Sequence, residues 1–522
     1  MKYFLPVMTC AQARAWEKRF FDPLRERENE PPRERDFMQA AGTSVAETIL
    51  RELNNRVPAQ LLVLIGKGHN GGDAIIAANQ LLARWQKNVP VKFVFFANDW
   101  DALAPLTMDA YEDFLRAHGE PNLIFYNEQT ALESLKNFCG NTENAVVLDG
   151  IYGYNFRAPL REHVFEAFIW LNKNCSKSLR VAIDLPSGLS DVAPCGNAFL
   201  ADLTCAVGIL KSPLLVPENA PFVGKIVPCA IGFSCEDCDA FAADSLRVLD
   251  VLKLPRQPFS DKRDYGKILI VGGSRRFAGA LMMNVLAALR AGTGLVTAFC
   301  PESVHAAFVA RAPAAMWIPC KETSDGDLDF ADVAQKLDDG HWLDGKTVQA
   351  ILCGSGLGRS RDALAIAQKI AAETCAPTRV VFDADAIVPE VLNLCQFRKN
   401  RQTFILPHAG ELARVAGTLE KNPITGVVKK SHFTWVCVHG EKPVVCCAGT
   451  PVLARGGSGD LLAGTVVSLL AQFADENIPA RDLLAIAVCW HGLAGQALAR
   501  EQGEHCADIT ALPNFFNVAL NS

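Results

Sequence analysis

Near its C-terminal end the chain reads Arg455-Gly456-Gly457-Ser458-Gly459-Asp460-Leu461-Leu462-Ala463-Gly464. A proline-free apolar run follows these glycines and predicts a helix, which the glycine-rich turn would open. Unpaired backbone N–H groups and the positive end of the helix dipole would then point at one spot, where an anion such as phosphate can bind. Asp460 would repel a phosphate and is better suited to take a proton from a hydroxyl group that approaches a phosphoryl group. The alternative is an ordinary helix start, at which Asp460 only caps the helix.

Length and composition predict a soluble protein of two or three domains. The chain has 522 residues, of which 50% are hydrophobic and 21% charged, and its net charge is −6. This length exceeds what one hydrophobic core supports. The negative charge gives no reason to expect nucleic acid or a membrane as a partner, and no apolar run is long enough to span a bilayer. The first residues do not form a signal peptide, so we expect a cytoplasmic protein.

The cysteine pattern indicates a reduced protein with a joint near its middle. The 18 cysteines are scattered through apolar segments, which favours thiols packed in the core of a cytosolic protein. The sequence contains one CxxC motif, formed by Cys235 and Cys238. No second cysteine pair with zinc spacing accompanies it. We interpret this acidic segment as the joint between a first domain over residues 1–235 and a second over residues 245–522.

The first half contains a second glycine-rich turn. The apolar run at 61–65 predicts a strand that is buried on both faces of a parallel sheet. It leads into Gly66-Lys67-Gly68-His69-Asn70-Gly71-Gly72-Asp73 and then into a predicted helix. Strand, glycine-rich turn and helix are typical of a phosphate-binding crossover, although the pattern is neither the dinucleotide fingerprint nor a Walker A loop. Before this unit, a proline-containing loop is predicted at 22–36, between two helices.

Two further predicted strands of the first half end in carboxylates. Asp149 and Asp184 each follow a strand directly, and Ser187 comes three residues after the second. In an open α/β sheet, ligands bind beyond the carboxyl ends of the strands. A lone aspartate after a strand is often only a turn former. Together with Asn70 and Asp73, however, these oxygen atoms would suit a hard cation.

The segments HNGGD at 69–73, DGIYG at 149–153 and DLPSG at 184–188 resemble, in this order and spacing, the epimerase domain of the NAD(P)H-hydrate repair enzymes. The match covers most of residues 9–234. The resemblance implies an N-terminal Rossmann-like three-layer α/β domain that interconverts the two epimers at C6 of hydrated NADH or NADPH.

The same resemblance implies roles for single residues. Asn70, Asp149 and Ser187 would hold a potassium ion, and Asp184 would be the catalytic carboxylate on the substrate side. The other substrate-binding residues would be His69, Asn70, Gly71, Gly72, Asp73, Gly153, Tyr154, Asn155, Phe156, Arg157, Ala158 and Pro159. The chain departs from the family pattern at His69 and in the loop after Tyr152, which reads GYNFRAP where a GTG-type sequence is commoner.

The second half alternates predicted strands and helices from about Asp261 onward. Strand-like runs at 268–271, 350–352, 380–382 and 404–406 are each followed by glycines or polar residues. This alternation predicts an α/β domain whose site lies beyond the strand carboxyl ends. His408 directly follows one of these strands. We favour a place for it in the site over a purely structural hydrogen bond.

The segments GSGLG at 354–358, LPHAGELARVAG at 406–417 and RGGSGDLLAG at 455–464 resemble the dehydratase domain of the same family. The resemblance covers roughly residues 245–515 and implies a ribokinase-like α/β fold that consumes ADP or ATP, with Mg²⁺ accompanying the nucleotide. Ala280, Gly356, His408 and Asp460 would contact the hydrated nicotinamide. The adenine nucleotide would contact His439, Gly440, Glu441, Lys442, Pro443, Gly456, Gly457, Ser458 and Gly459. Phosphoryl transfer onto the C6 hydroxyl would make a good leaving group, with Asp460 as catalytic base.

The resulting hypothesis is a bifunctional repair enzyme that restores NADH or NADPH from its hydrates and that we expect to be a homo-oligomer. One alternative is a ribokinase-like small-molecule kinase with an accessory first domain. Another is a nucleotide-binding protein whose sites have decayed. The departures from the family pattern at His439 and Pro443 favour this last reading.

Overall fold

A computed structural model of the chain describes residues 3–25, 33–54, 56–85, 89–192, 198–233, 237–253, 256–340, 347–395 and 400–521. Cys235 of the CxxC motif lies outside these residues. The chain divides into two compact units, Met1–Asp244 and Ser245–Ser522. Each unit is a mixed α/β structure built on a parallel or mainly parallel sheet, so the predicted fold class is confirmed.

The first unit is built from seventeen described helices and strands. In chain order they are β1 (Phe4–Met8), α1 (Cys10–Arg25), α2 (Arg33–Leu53), β2 (Gln60–Ile65), α3 (His69–Trp85), β3 (Val91–Phe95), α4 (Pro105–His118), β4 (Asn122–Phe125), α5 (Leu132–Cys139), β5 (Ala145–Gly150), α6 (Glu162–Asn174), β6 (Leu179–Ile183), β7 (Leu203–Val207), β8 (Leu210–Lys211), α7 (Ala220–Val223), β9 (Lys225–Cys229) and β10 (Ala240–Ala243).

The central sheet of the first unit has the strand order β4-β3-β2-β5-β6-β7-β9, and all of its neighbours are parallel. Strand β2 is fully buried because alternate side chains enter two hydrophobic clusters. Leu61, Val63 and Ile65 pack with helices α2, α3 and α4. Leu62 and Leu64 pack with α5 and α6 on the other face. Helices on both faces of one sheet give the predicted three layers, and β1 forms a small ribbon with β8 and β10.

The predicted bounds of the loop at 22–36 are wrong at both ends. Helix α1 continues to Arg25 and helix α2 already begins at Arg33, while residues 26–32 lie outside the described part of the chain. The charged residues that suggested a loop include Glu34 and Asp36, which lie in the first turn of α2. Acidic side chains at that position are stabilised by the helix dipole, so charge density was a misleading sign there.

The second unit is built from eighteen described helices and strands. They are β11 (Lys267–Val271), α8 (Ala278–Arg290), β12 (Leu295–Pro301), α9 (His305–Arg311), β13 (Met316–Cys320), α10 (Phe330–Asp339), β14 (Ala350–Cys353), α11 (Arg361–Glu373), β15 (Arg379–Phe382), α12 (Pro389–Cys395), β16 (Thr403–Ile405), α13 (Ala409–Lys421), β17 (Gly426–Lys429), β18 (Thr434–Val438), β19 (Val444–Cys446), α14 (Ser458–Gln472), α15 (Ala480–Gln502) and α16 (Phe516–Leu520).

Within the second unit the strands lie in the order β13-β12-β11-β14-β15-β16-β17-β18-β19. Neighbouring strands from β13 to β17 are parallel. Strand β18 pairs antiparallel with both β17 and β19. Helices α10 to α13 pack on one face of the sheet around a hydrophobic cluster. Helices α8 and α14 also contact the strands but do not belong to this cluster. This topology places the turn before α14 at the carboxyl ends of the parallel strands, where ligands bind in such sheets.

Helix α15 is long and apolar enough to cross a membrane by length and composition. Its most apolar window has a mean hydropathy of 1.3, but 83% of this window is buried inside the structure. Burial of this extent is what a core helix shows, so we interpret α15 as part of the core.

Gly464 is where helices α8 and α14 approach each other most closely. A Cβ atom at Gly464 would lie 2.3 Å from the backbone oxygen of Asn284, which cannot move without shifting helix α8. Gly417 in helix α13 is the matched opposite case, because a Cβ atom there would meet nothing within 4 Å.

We therefore expect Gly464→Ala to lower the free energy of unfolding by about 1–3 kcal/mol, because overpacking outweighs the better helix propensity of alanine. Gly417→Ala should instead raise it by up to about 1 kcal/mol. Urea unfolding of both variants measures the difference. A Gly464→Ala variant as stable as the unchanged chain would contradict the close packing of the two helices.

Candidate functional site

A cavity of about 410 Å³ opens at the carboxyl ends of the strands of the first unit. Its walls combine aromatic side chains with an unusual number of charged ones. The charged and polar lining residues are Glu17, Glu34, Lys67, His69, Asn70, Asp73, Tyr152, Tyr154, Asn155, Arg161, His163, Asp184 and Lys211. The cavity thus joins the glycine-rich turn, the loops after β5 and β6, and helix α1, which the sequence had not connected with the site.

Asp184 forms a buried ion pair with Lys211, whose side chain is 1% exposed. The backbone of Asp184 has a φ of 70°, a left-handed conformation that a non-glycine residue rarely adopts. Lys211 also donates to the backbone oxygen of Val207 at 3.2 Å, and its Nζ lies 5.2 Å from the ring centre of Tyr154. Gly153 leaves room for this carboxylate, since a Cβ atom there would lie 3.2 Å from Asp184 Oδ2. The strained backbone therefore aims Asp184 into the cavity.

Two other carboxyl groups line the cavity without such a pair. Among the described residues, neither Asp73 nor Glu17 forms an ion pair with a lysine or arginine. Burial, and then the charges of Asp184 and Glu17, raise the pKa of Asp73 well above its usual range. Burial also raises the pKa of Glu17, which accepts a hydrogen bond from the Tyr154 hydroxyl. One cavity therefore holds an ion-paired carboxylate beside two carboxyl groups whose pKa is raised.

The three residues predicted to hold potassium lie around the ends of β5 and β6. Asp149 is fully buried and accepts hydrogen bonds from Ser187 N at 2.8 Å, Ser187 Oγ at 2.7 Å and Ile151 N at 3.2 Å. Burial raises the pKa of Asp149 to about 6, although the bonds from Ser187 act the other way. Asn70 lies beside Gly153, and its buried Nδ2 has no hydrogen-bond partner among the described residues.

This donor set consists of carboxylate, hydroxyl and amide oxygens, which fits a hard ion such as K⁺. The described residues contain no group of three His, Cys, Asp or Glu side chains arranged to hold a metal ion, so zinc-type coordination has no support there.

The structure divides the other residues predicted for this site into three groups. Tyr154, Asn155 and Phe156 line the cavity together with Gly153, whereas the following residues Arg157, Ala158 and Pro159 are exposed and do not. His69 also lines the cavity, and its Nδ1 lies 3.7 Å from Glu34.

Gly71 and Gly72 do not line the cavity and serve close packing instead. A Cβ atom at Gly71 would lie 2.3 Å from Gly66 O, and one at Gly72 would lie 2.8 Å from Met38 Sδ. These glycines let the turn fold tightly against α2 and β2.

In the second unit, helix α14 begins at Ser458 as the glycine-rich stretch predicts. Gly457 precedes it with a φ of 95° and provides no side-chain cap. The first N–H groups of a helix have no acceptor within the helix. Ser458 N donates to Arg455 O at 3.3 Å, whereas the N–H groups of Gly459 and Asp460 have no acceptor among the described residues and are open to a ligand. A Cβ atom at Gly456 would meet nothing within 4 Å, which leaves open space beside these groups. Asp460 lies inside the first turn and is not the capping residue, so the capping alternative is wrong.

Asp460 has the properties of a general base. Burial, followed by the charge of Asp383, raises the pKa of Asp460 to about 7, while Lys430 and a hydrogen bond from Ser355 act in the opposite direction. A base with a pKa near the working pH is best suited to proton transfer. Its backbone oxygen accepts a hydrogen bond of 2.7 Å from Asn284 Nδ2, which anchors this turn to helix α8.

Lys430 is the main residue of this site that the sequence reasoning missed. Its Nζ lies 2.9 Å from Asp383 Oδ1, and a Cβ atom at Gly459 would lie only 3.3 Å from it. Burial lowers the pKa of Lys430, but the charges of Asp383 and of further carboxylates, Asp460 among them, outweigh this effect and raise it. The available signal was a lysine pair directly after the apolar segment that forms β17.

Ala280 and Gly356 lie next to each other in the structure. The hydrogen bonds of His408, in contrast, are those of a residue that caps a helix. A Cβ atom at Gly356 would lie 3.0 Å from Ala280 Cβ. His408 precedes helix α13, where its Nδ1 accepts hydrogen bonds from Gly410 N at 3.0 Å and Glu411 N at 3.4 Å. The Glu411 side chain bonds back to His408 N at 2.9 Å, which completes a capping box. A contact of His408 with substrate stays a prediction.

The segment His439–Pro443 forms the exposed turn between β18 and β19. His439 N donates to Thr425 O at 2.9 Å, and Glu441 lies 3.5 Å from Arg481 Nε. These contacts tie the turn to the edge of the sheet and to helix α15 rather than to the glycine-rich stretch. Nucleotide contacts by this turn stay a prediction, and Lys430 is better placed for them.

Comparisons with known proteins address both units. The model for "NAD(P)H-hydrate dehydratase" matches residues 268–513, and the model for "YjeF-related protein N-terminus" matches residues 34–212. A protein of Thermosynechococcus vestitus described as a bifunctional NAD(P)H-hydrate repair enzyme is 31% identical over 459 residues, which cover 84% of each chain. One of Gloeobacter violaceus with the same description is 30% identical and covers 89% of each chain.

Solved structures similar to the chain cover about half of it. A hypothetical protein of Streptococcus mutans is 24% identical with a TM-score of 0.45, and the match covers 54% of this chain and 98% of that one. The ADP/ATP-dependent NAD(P)H-hydrate dehydratase of Bacillus subtilis is 22% identical with a TM-score of 0.43, and the match covers 53% of this chain and 96% of that one.

The raised pKa of Asp460 predicts that this residue destabilises the fold at neutral pH. Its folded pKa of about 7 lies above the ordinary value of 3.8, so stability falls as pH rises through this window. Asp460→Asn should therefore raise the free energy of unfolding by about 1–3 kcal/mol near pH 8 and by much less near pH 4. Urea unfolding at both pH values measures this, with Asp325→Asn as the exposed control. An equal effect of Asp460→Asn at both pH values would refute the buried-carboxyl assignment.

Proposed function

The chain belongs to the family of the bifunctional NAD(P)H-hydrate repair enzymes, and from this premise we propose which residues carry out each half of the repair. We assign epimerisation of the hydrates at C6 to the first domain, residues 1–235, and nucleotide-dependent dehydration to the second, residues 245–522. The division of the chain after Asp244 supports this assignment. The expected location is the cytoplasm, since every cysteine among the described residues is a free thiol.

The dehydratase assignment rests on Asp460, a half-buried carboxyl group in the first turn of a 15-residue helix that opens after glycines. The N–H groups of that turn and the Lys430 ammonium group would hold the phosphoryl oxygens of ADP or ATP, with Mg²⁺ arriving on the nucleotide. Asp460 takes the proton of the C6 hydroxyl as its oxygen attacks the phosphoryl group. The phosphate ester is a far better leaving group than hydroxide, so elimination restores the nicotinamide ring.

The epimerase assignment rests on the cavity of the first unit and its ion-paired Asp184. Asn70, Asp149 and Ser187 would hold K⁺, which would offset the buried charge of Asp149 and fix the loops after β5 and β6. Asp184 would face the reacting carbon. We expect a homo-oligomer, which sedimentation of the full chain would test.

The experiment that tests the proposed function mixes the full chain with both epimers of hydrated NADH, K⁺, Mg²⁺ and either ADP or ATP. The proposed function predicts nucleotide-dependent return of NADH absorbance from both epimers. Return from one epimer only would leave a dehydratase beside an inactive epimerase. A phosphorylated product that accumulates without NADH would favour a small-molecule kinase, and bound nucleotide without turnover would favour a decayed site.

The two activities should separate by mutation. Asp460→Asn removes the base and is expected to lower dehydration at least about 100-fold while epimerisation stays within about twofold. Asp184→Asn should do the reverse. NADH absorbance reports the first reaction, and chromatographic separation of the epimers without nucleotide reports the second. An Asp460→Asn chain with undiminished dehydration would remove Asp460 from the mechanism.

Lys430 should act on the phosphoryl group rather than only neutralise Asp383. Lys430→Met is then expected to lower kcat for dehydration by about 10- to 100-fold or to raise the nucleotide KM similarly, and Lys430→Arg should recover part of the loss. A lysine that served only as a counter-charge would leave both parameters unchanged at high pH, because Asp460 is then ionised in either chain. Unchanged kinetics near pH 9 would therefore rule out the phosphoryl contact.

A further inference from the structure

Two carboxyl groups of the first cavity lie in different electrostatic environments. Asp184 follows β6 and is ion-paired with the buried Lys211. Asp73 lies in the N-terminal half of α3 and has no ion pair with a lysine or arginine among the described residues, although it lines the same cavity. Environments that separate two carboxyl groups in this way are how one site provides an acid and a base at the same pH.

The substrate chemistry calls for such a pair. C6 of a hydrated nicotinamide carries a hydroxyl group and is bonded to the ring nitrogen N1. The N1 lone pair can expel the hydroxyl group if it is protonated, which leaves a planar N1=C6 iminium carbon. Water can then add to either face of this carbon. Inversion therefore needs a proton donor on the side of departure and a proton acceptor on the side of entry.

We propose that Asp73 and Asp184 are the acid and the base of this inversion, and that each epimerisation exchanges the C6 oxygen atom with solvent water. This inference rests on the epimerase function proposed above and names its chemistry. Asp73 becomes a catalytic residue rather than only part of a substrate-binding turn.

The step balances with one molecule of water lost and one gained. The Asp73 proton passes to the C6 hydroxyl oxygen, the C6–O bond breaks with its electron pair on the departing water, and the N1 lone pair forms the N1=C6 bond. A water molecule on the other face then forms the new C6–O bond and gives a proton to Asp184, while the π electrons return to N1. Asp73 ends ionised and Asp184 ends protonated.

The reverse reaction uses the same groups with their roles exchanged. A chain with a protonated Asp184 and an ionised Asp73 acts on the opposite epimer. Among the described residues Asp184 is ion-paired with Lys211 and Asp73 has no such pair, so the resting chain is set for the epimer whose hydroxyl group faces Asp73. Proton exchange with cavity water restores this state after each turnover.

Glu17 is the competing candidate for the acid, because burial raises its pKa as well. Its carboxylate, however, already accepts the hydrogen bond from Tyr154. This hydrogen bond favours the ionised carboxylate of Glu17 and so opposes the role of a proton donor. Asp73 has no such hydrogen bond among the described residues, so we assign the proton to Asp73.

The first test follows oxygen in the unchanged full chain. One epimer of hydrated NADH is incubated without nucleotide in ¹⁸O-labelled water, and mass spectrometry of the separated epimers is compared with a blank without protein. The proposal predicts one solvent oxygen atom for each inversion from the earliest time points. Inversion that retains the original oxygen would overturn it and leave the epimerase function standing. Absence of any inversion would overturn the function as well.

The second test asks whether Asp73 provides a proton or only stabilises the folded structure. Asp73→Ala should lose at least about 100-fold of epimerisation, and formate should restore activity in a saturable way because a small acid can enter the vacated space. Saturable rescue would show that the first unit is folded, and dehydration by the same chain would show that the second unit is intact. Asp101→Asn, an exposed carboxylate of the same unit, should change neither reaction.

Glu17→Ala distinguishes the two candidates. It should retain epimerisation within about tenfold and should show no rescue by formate. Rescue of Glu17→Ala and not of Asp73→Ala would transfer the role to Glu17 and overturn the assignment. An Asp73→Ala chain with undiminished epimerisation would do the same.

Discussion

Both sites depend on one kind of interaction, a lysine that pairs with a buried aspartate at the carboxyl end of a parallel strand. In the first unit Lys211 pairs with Asp184, which directly follows β6. In the second unit Lys430 pairs with Asp383, which directly follows β15. An unpaired charge at such a depth would cost several kcal/mol, so each pair can stay buried only because its partners satisfy one another.

Each site also contains a carboxyl group that has no ion pair with a lysine or arginine among the described residues. Asp73 in the first unit and Asp460 in the second lie close enough to feel the paired aspartate, and each has a raised pKa. Burial and repulsion between like charges cause this shift together. The same arrangement thus gives each unit a carboxyl group with a raised proton affinity, which is common at catalytic sites. Since the two units have different folds and motifs, the similarity lies in the electrostatics rather than in the sequence.

Much of the fold and of the candidate sites could be predicted from local sequence. The buried strand β2, the strand-end positions of Asp149 and Asp184, and the start of helix α14 all follow from patterns within about ten residues. Glu17, Lys211 and Lys430 were missed because their contacts join segments far apart in the chain. Lys211 ends a two-residue strand, which is too short to have a periodic pattern.

The glycines show why a motif alone could not define the chemistry. At Gly66 a Cβ atom would lie 1.9 Å from Ile151 O, so this glycine is required by the approach of two backbones. At Gly456 a Cβ atom would meet nothing within 4 Å, so the second stretch keeps space for a ligand. The sequence shows glycine in both places, and only the surrounding atoms distinguish packing from binding.

This difference agrees with what the two reactions require. Epimerisation is close to thermoneutral and needs only an acid and a base that assist the loss and return of water at one carbon, which paired carboxyl groups in a small cavity can provide. Dehydration must be driven by a nucleotide, and the second site accordingly adds a helix N-terminus and a lysine that can hold phosphate. Because the first reaction only interconverts epimers, the second removes one of them and draws the other through the first site. The glycine-rich helix start, where the nucleotide would bind, therefore gives the combined repair reaction its direction. The carboxyl cavity sets the rate at which the other epimer is converted.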